Sequence, residues 1–208
     1  MILIGQYDSS FTRRIAIALS LYGIPFEHRP WSVFSDAEQL RAINPLVRVP
    51  TLILDDGDVL IDSHAILDYL DRRAPEGQAL FPTDEPDRHR ALKVAALATG
   101  MADKAVALFY EIHMHEEPSS SLMARLTLQI HSALAALETS RTEAGGEFWF
   151  GDRIGHSDIA VACAFRHLTE ALPDVVRGDE YPAVRAHCAR LEALPVFAEH
   201  SQAFVPPR

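Results

Sequence analysis

Ser9 and Ser10 stand side by side between a short apolar run, Ile2 to Tyr7, and a segment with apolar residues at helical spacing. A serine in that place is a natural helix N-cap, its oxygen accepting a backbone N–H. Asp62-Ser63 repeat the arrangement in front of a second such segment. The other chemistry-bearing residues are less well placed. Cys163 and Cys188 are far apart and no Cys-x-x-Cys occurs, so neither a dithiol redox centre nor a zinc knuckle is expected. Free, buried cysteines suit a reducing compartment. Of the 10 histidines, His113 and His115 are two apart and point to different sides of a helix, unlike the i, i+4 spacing of helical zinc ligands. His64 follows Ser63 without the glycines of a nucleophile elbow. No metal site is expected, and these three histidines read as surface or capping residues.

Two kinds of element would position these residues. Up to about Arg73 the signals alternate between strand and helix. Ile2–Tyr7 reads as a strand, and Phe11–Tyr22 as a helix stopped by Gly23. Ile24–His28 reads as a second strand, and a short helix capped by Asp36 ends near Asn44-Pro45. Pro50–Leu54 and Val59–Ile61 flank Asp55-Asp56-Gly57-Asp58, a hairpin signal. Asp62-Ser63 then cap a helix running to about Arg73, with Ile66, Leu67 and Leu70 on its apolar face. Pro75, Gly77, Pro82 and Pro86 break the pattern. Beyond them helical periods dominate over 87–116, 119–143, 157–171 and 182–194, and no repeat appears. The expected architecture is α/β followed by all-α: residues 1–76, a linker over 77–86, and a helical domain over 87–208.

Bulk properties narrow the partners. The chain has 208 residues, 48% hydrophobic and 23% charged, ordinary for a globular protein, with a formal net charge of −10. An acidic surface repels phosphate backbones and anionic lipid, so neither nucleic acid nor membrane is expected as a partner. No run reaches the roughly 18–20 apolar residues of a membrane span. The first residues read as a strand rather than a secretory leader, so the expected location is cytoplasmic. An anionic ligand would need a local basic group.

Three segments resemble the cytosolic glutathione transferases. Ser9-Ser10-Phe11-Thr12-Arg13-Arg14-Ile15 is similar to the serine-type classes, theta, zeta and related bacterial forms. Asn44-Pro45-Leu46-Val47-Arg48-Val49-Pro50-Thr51-Leu52 is close to that family's Asn-Pro-x-x-Lys-Val-Pro-x-Leu, and Asp62-Ser63 matches its acidic-residue-then-serine pair. Gly151–Ala160 is similar to the capping motif of the family's second domain, with Gly155 where Ser or Thr is usual and Asp158 three residues on. The resemblance spans essentially the whole chain. It implies a thioredoxin-like domain followed by a helical bundle, glutathione as co-substrate, and a homodimer.

The resemblance also implies roles. The Ser9 hydroxyl would face the glutathione sulfur, with Ser10 assisting, Phe11 beside them, and Tyr7 as the rival donor. Val49-Pro50 would be the cis-proline pair whose backbone edge holds the cysteinyl part. Asp62 and Ser63 would hold the γ-glutamyl end, and Arg48 a carboxylate. Arg13 or Arg14 is the other candidate cation, though a solvated helix face is the reading their spacing favours. Met101–Tyr110 would line a pocket for a small hydrophobic electrophile. The implied activity is conjugation of the glutathione thiolate to such electrophiles in detoxification. The alternatives are a glutathione-dependent isomerase of the zeta type and a non-catalytic interaction module.

Overall fold

The computed structural model describes residues 1–206. The chain forms two compact units, Met1–Leu80 joined by the segment from Leu194 onward, and Phe81–Ala193. In the first unit, β1 (Ile2–Ile4), α1 (Ser10–Leu21), β2 (Glu27–Arg29), α2 (Ala37–Arg41), β3 (Thr51–Ile53), β4 (Val59–Ile61) and α3 (Ser63–Arg73) follow in order. The strands form one sheet, β2-β1-β3-β4, with β1 parallel to β2 and antiparallel to β3, and β3 antiparallel to β4. The first three strands are shorter than their apolar runs. β1 stops at Ile4 because Gly5 turns the backbone to φ +132°, and β2 begins only after Pro25, which has no N–H to give a ladder. Gly57 closes the β3–β4 turn at φ +88°.

α1 and α3 pack together, burying Ile15, Ile17 and Leu19 with Ile66, Leu67 and Leu70. Ser9 is the N-cap of α1, and Gly23 follows its end at φ +65°. Asp36 precedes α2, but its carboxylate does not cap that helix. It turns back to accept from the backbone N–H of Ser32 at 2.9 Å and the Ser35 hydroxyl at 2.8 Å. Asp71 of α3 accepts from the Tyr22 hydroxyl and, at 2.8 Å, from the backbone N–H of Leu80, fixing the chain where it leaves this unit.

The arginines of α1 correct the expectation of a solvated face. Arg13 is 2% exposed and Arg14 1%. A helix is buried on all sides only when something covers its second face. Here that cover includes α8 (Pro195–Glu199), which belongs to the first unit rather than to the helices before it. Arg13 donates from Nε to the carbonyl of His200 at 2.7 Å and from Nη2 to that of Phe197 at 2.9 Å. These carbonyls lie at the end of α8, where the helix leaves acceptors unpaired and favours a cation. The guanidinium also sits 5.5 Å from the Phe197 ring centre.

The second unit contains α4 (Asp87–Met114), α5 (Ser120–Ala144), α6 (His156–Ala171) and α7 (Pro182–Glu192). α6 packs on both α4 and α7, and its residues 156–165 are all buried. A helix start in a core must have its N–H groups met, and Asp158 does this from inside the helix. Its carboxylate accepts from the backbone N–H of Gly155 and of Trp149 at 2.9 Å each, and lies 2.9 Å from Nε2 of His187 in α7. Gly155 has no hydroxyl to return the contact, so only half of a Ser-type capping box exists. Ser157 Oγ donates to the carbonyl of Ala91 in α4 at 3.0 Å. Replacing Asp158 by Ala strands two N–H groups and a buried imidazole. Urea unfolding of Asp158→Ala is expected to show about 3–5 kcal/mol less stability than the native chain.

Candidate active site

The sheet register brings the sequence-predicted residues to one place. Ile4 at the end of β1 pairs with Thr51 at the start of β3, and Thr51 pairs with Ile61 at the end of β4. Gly5, Pro50 and Asp62 therefore leave the same end of the sheet. α1 and α3 both begin there, preceded by the caps Ser9 and Asp62. Two helix N-termini and one loop edge converge, an arrangement of backbone donors suited to anionic groups.

Ser9 Oγ accepts weakly from the backbone N–H of Thr12 at 3.4 Å. A hydroxyl that accepts through a lone pair still has its own proton to give, so capping and donation to a ligand are compatible. Ser10 is buried, and its hydroxyl oxygen has no hydrogen-bond partner among the described residues. Phe11 is half-buried beside them. The Tyr7 ring stacks on His28 at 3.9 Å between centres and 3° between planes, and meets His200 edge-on at 5.2 Å. Burial, reinforced by the Glu199 carboxylate, pushes its phenol up to about 12. That makes Tyr7 a poorer proton donor than an ordinary tyrosine.

The Val49-Pro50 peptide is cis, and Pro50 is buried. The loop before it hangs on Asn44, a fully buried side chain. Asn44 Nδ2 donates to the carbonyl of Arg48 at 3.0 Å and to Thr51 Oγ1 at 2.9 Å, while its Oδ1 accepts from the backbone N–H of Leu46 at 3.0 Å. Val47 takes φ +50° within this brace. The Arg48 side chain is exposed. Asp62 takes φ +71°, and its Oδ1 accepts from the backbone N–H of His64 at 2.8 Å; Ser63 is buried behind it.

Sequence reasoning missed what holds these parts together. Gly5 lies beneath both α1 and the cis-proline loop. A β-carbon at Gly5 would fall 2.4 Å from Thr12 Oγ1 and 2.8 Å from Val49 Cβ. Asn44 carried a signal, because it opens the Asn-Pro segment, but its role as a brace needs the fold. Met101–Tyr110 falls in α4, where Met101, Ala105, Leu108 and Phe109 are buried. Tyr110 is half-buried there, its phenol pushed up by burial. Cys163 and Cys188 are free and buried, and burial pushes the Cys188 thiol up, so neither is a ready nucleophile. Among the described residues no group of three or more His, Cys, Asp or Glu could hold a metal ion. No helix among the described residues is long and apolar enough to cross a membrane.

A model of the glutathione S-transferase N-terminal domain matches residues 3–78, and one of the C-terminal domain matches residues 121–190. A maleylacetoacetate isomerase of Pseudomonas aeruginosa is 31% identical over 96% of this chain and 94% of its own length. The chain belongs to the glutathione S-transferase superfamily. Solved structures of the superfamily agree with this fold. A glutathione S-transferase of Methylobacterium radiotolerans, in complex with glutathione sulfonate, has a TM-score of 0.89 at 27% identity, covering 100% of this chain and 98% of that one. A family member from Pseudomonas fluorescens Pf-5 with bound glutathione scores 0.84 at 29% identity, covering 96% and 97%. In this superfamily member the four-stranded sheet and the helical unit are the two expected parts.

His200 gives the first unit a pH dependence. It is buried, and Ser20 Oγ lies 2.7 Å from its Nε2. Burial holds the imidazole below the usual histidine range; Glu199 opposes this, and Arg13 and His28 reinforce it. An unfolded histidine titrates near about 6.5. Below that pH the unfolded chain takes up a proton that the folded chain resists, so stability falls as pH drops from there toward the lowered folded value. Melting temperature measured from pH 7.5 to 5 is expected to fall less in His200→Gln than in the native chain, because glutamine keeps a polar partner for Ser20 without titrating.

Proposed function

We propose that the chain is a serine-type glutathione-dependent enzyme that adds the glutathione sulfur, as thiolate, to small hydrophobic electrophiles. The observation that carries this reading is the capped start of α1, with Ser9 beside a buried Ser10, at the sheet end shared with Val49-Pro50 and Asp62-Ser63. Glutathione is anionic, and two helix N-termini suit its charges. In the proposed pose the Val49 backbone pairs with the cysteinyl part, as an added strand would. Ser63 and the start of α3 take the γ-glutamyl carboxylate, Asp62 the α-amino group, and exposed Arg48 the other carboxylate. The sulfur then lies at Ser9.

The magnitudes suffice. A free thiol has a pKa of about 8.5, so only a few per cent is ionised at neutral pH. A hydrogen bond to a charged acceptor contributes roughly 1.5–3 kcal/mol, and one pKa unit corresponds to about 1.36 kcal/mol. One serine donor lowers the thiol by about one to two units, and the positive end of α1 adds about 0.3–1 kcal/mol.

A second reading is favoured by the Pseudomonas aeruginosa relative, whose name is maleylacetoacetate isomerase. In that reading the thiolate adds reversibly to a conjugated double bond and leaves again, so glutathione is not consumed. Glutathione consumption separates the two: an aryl halide or epoxide uses one equivalent per turnover, whereas isomerisation of maleylacetoacetate uses none. Ser9→Ala is expected to raise the pKa of bound glutathione by about one to two units and to lower kcat/KM near neutral pH by roughly 10–100-fold. Tyr7→Phe is expected to keep the thiolate absorbance. An unchanged thiolate band in Ser9→Ala would overturn the assignment, and no binding of millimolar glutathione by calorimetry would leave the fold as an interaction module.

A further inference from the structure

The turn from β1 to α1 is completed by residues nearly 200 positions away. The backbone N–H of Tyr7 donates to Gln202 Oε1 at 3.2 Å. One residue on, Asp8 Oδ2 accepts from the backbone N–H of Val205 at 3.2 Å. Residues 201–206 have no regular secondary structure; Ser201, Ala203 and Val205 are exposed, while Gln202 and Phe204 are half-buried. The near end of this stretch is firmly fixed. Buried Arg13 holds the carbonyls of Phe197 and His200, and Ser20 holds the His200 ring. The result is a strap, anchored at 197–200 and hooked by two hydrogen bonds to the pair of residues that immediately precede Ser9.

The turn needs such a hook. Its first residue, Gly5, is tied on both sides: its N–H donates to the carbonyl of Arg29 at 2.9 Å, and its carbonyl lies 2.8 Å from Nε2 of His28. Its last residue is tied as well, since the N–H of Ser9 donates to the carbonyl of Gln6 at 3.2 Å. The Tyr7 N–H, between them, is met by the strap. Asp8 raises an electrostatic problem, because a carboxylate adjacent in the chain to Ser9 opposes any negative charge gathered there. The Val205 N–H supplies that carboxylate with a fixed donor.

We infer that Gln202 and the Val205 backbone are positioning groups for the Ser9 hydroxyl, so that the C-terminal strap tunes how readily a bound thiol ionises. This rests on the reading of Ser9 as the group facing the glutathione sulfur. It assigns the strap no contact with the sulfur itself. Loosening it changes the angle and mobility of the donor, which lowers the thiolate population near neutral pH and leaves the Val49 and Ser63 contacts in place.

The test uses the full-length protein with glutathione as ligand, in Gln202→Leu, which removes the acceptor for Tyr7, and Val205→Pro, which removes the donor to Asp8. The ultraviolet thiolate band of bound glutathione is titrated from pH 5 to 9, alongside kcat, KM and the melting temperature. Each variant is expected to raise the thiol pKa by about half a unit, a roughly 1.5–3-fold smaller thiolate fraction at pH 6.5. kcat should fall to match at pH 6.5 and recover by pH 8.5, with the KM for glutathione changed less than twofold. A purely structural role would lower the melting temperature without moving the titration, and that result overturns the inference. If the titration is unmoved in both variants while Ser9→Ala abolishes the band, the strap fails and the site stands. If Ser9→Ala leaves the band intact, the site reading fails and the strap falls with it.

Discussion

At Gly5 the backbone passes so close beneath Thr12 and Val49 that a β-carbon would come within 2.4 Å of one and 2.8 Å of the other. The start of α1 and the loop ending in the cis proline can approach each other only across a residue without a side chain. Gly5 is also at φ +132°, a conformation that other residues rarely adopt. The shortness of β1 follows from this residue, as does the placing of Ser9 near the Val49 edge. The register Ile4–Thr51–Ile61 then adds the start of α3 to the same end. The candidate site is thus a property of backbone paths first and of side chains second.

Both units solve the problem of buried charge in the same way, by matching ionised groups to backbone ends. Arg13 meets the carbonyls at the end of α8, and Asp158 meets the N–H of Gly155 at the start of α6 and that of Trp149 in the loop before it. Glu138 of α5 repeats the second device across helices, accepting from the N–H groups of Ala183 at 2.8 Å and Val184 at 2.9 Å at the start of α7. A buried ion left alone is strongly destabilising, whereas one that satisfies orphan backbone groups fixes an orientation. Asp158 is marked by the capping motif, whereas Arg13 and Glu138 look like ordinary surface charges in the sequence, and their helical spacing does not distinguish them.

That contrast marks how far the sequence could be read. Elements with a local cause were legible: the Ser9 and Asp62 caps, the Gly23 stop, the Asp/Gly hairpin and the long helices all follow from neighbours a few residues away. The quoted motifs could name candidate residues because they are short and contiguous. What stayed hidden depends on contacts between distant positions. The burial of Arg13 draws on a cover from beyond residue 194, and nothing in α1 announces it. The inward use of Asn44 and the backward reach of Asp36 are settled by loop paths, where periodicity has no voice.

The first unit joins residues 1–80 to a segment that starts at Leu194, and this orders its assembly in time. On a ribosome the sheet and α1 emerge early, but Arg13 finds the carbonyls of Phe197 and His200 only after all four long helices have been synthesised. At about 5–20 residues per second the guanidinium waits on the order of ten seconds or more in solvent. The helical unit, whose residues are contiguous, can close in the meantime. The nascent chain therefore completes its second unit before its first, and the turn that leads into Ser9 is among the last parts to set.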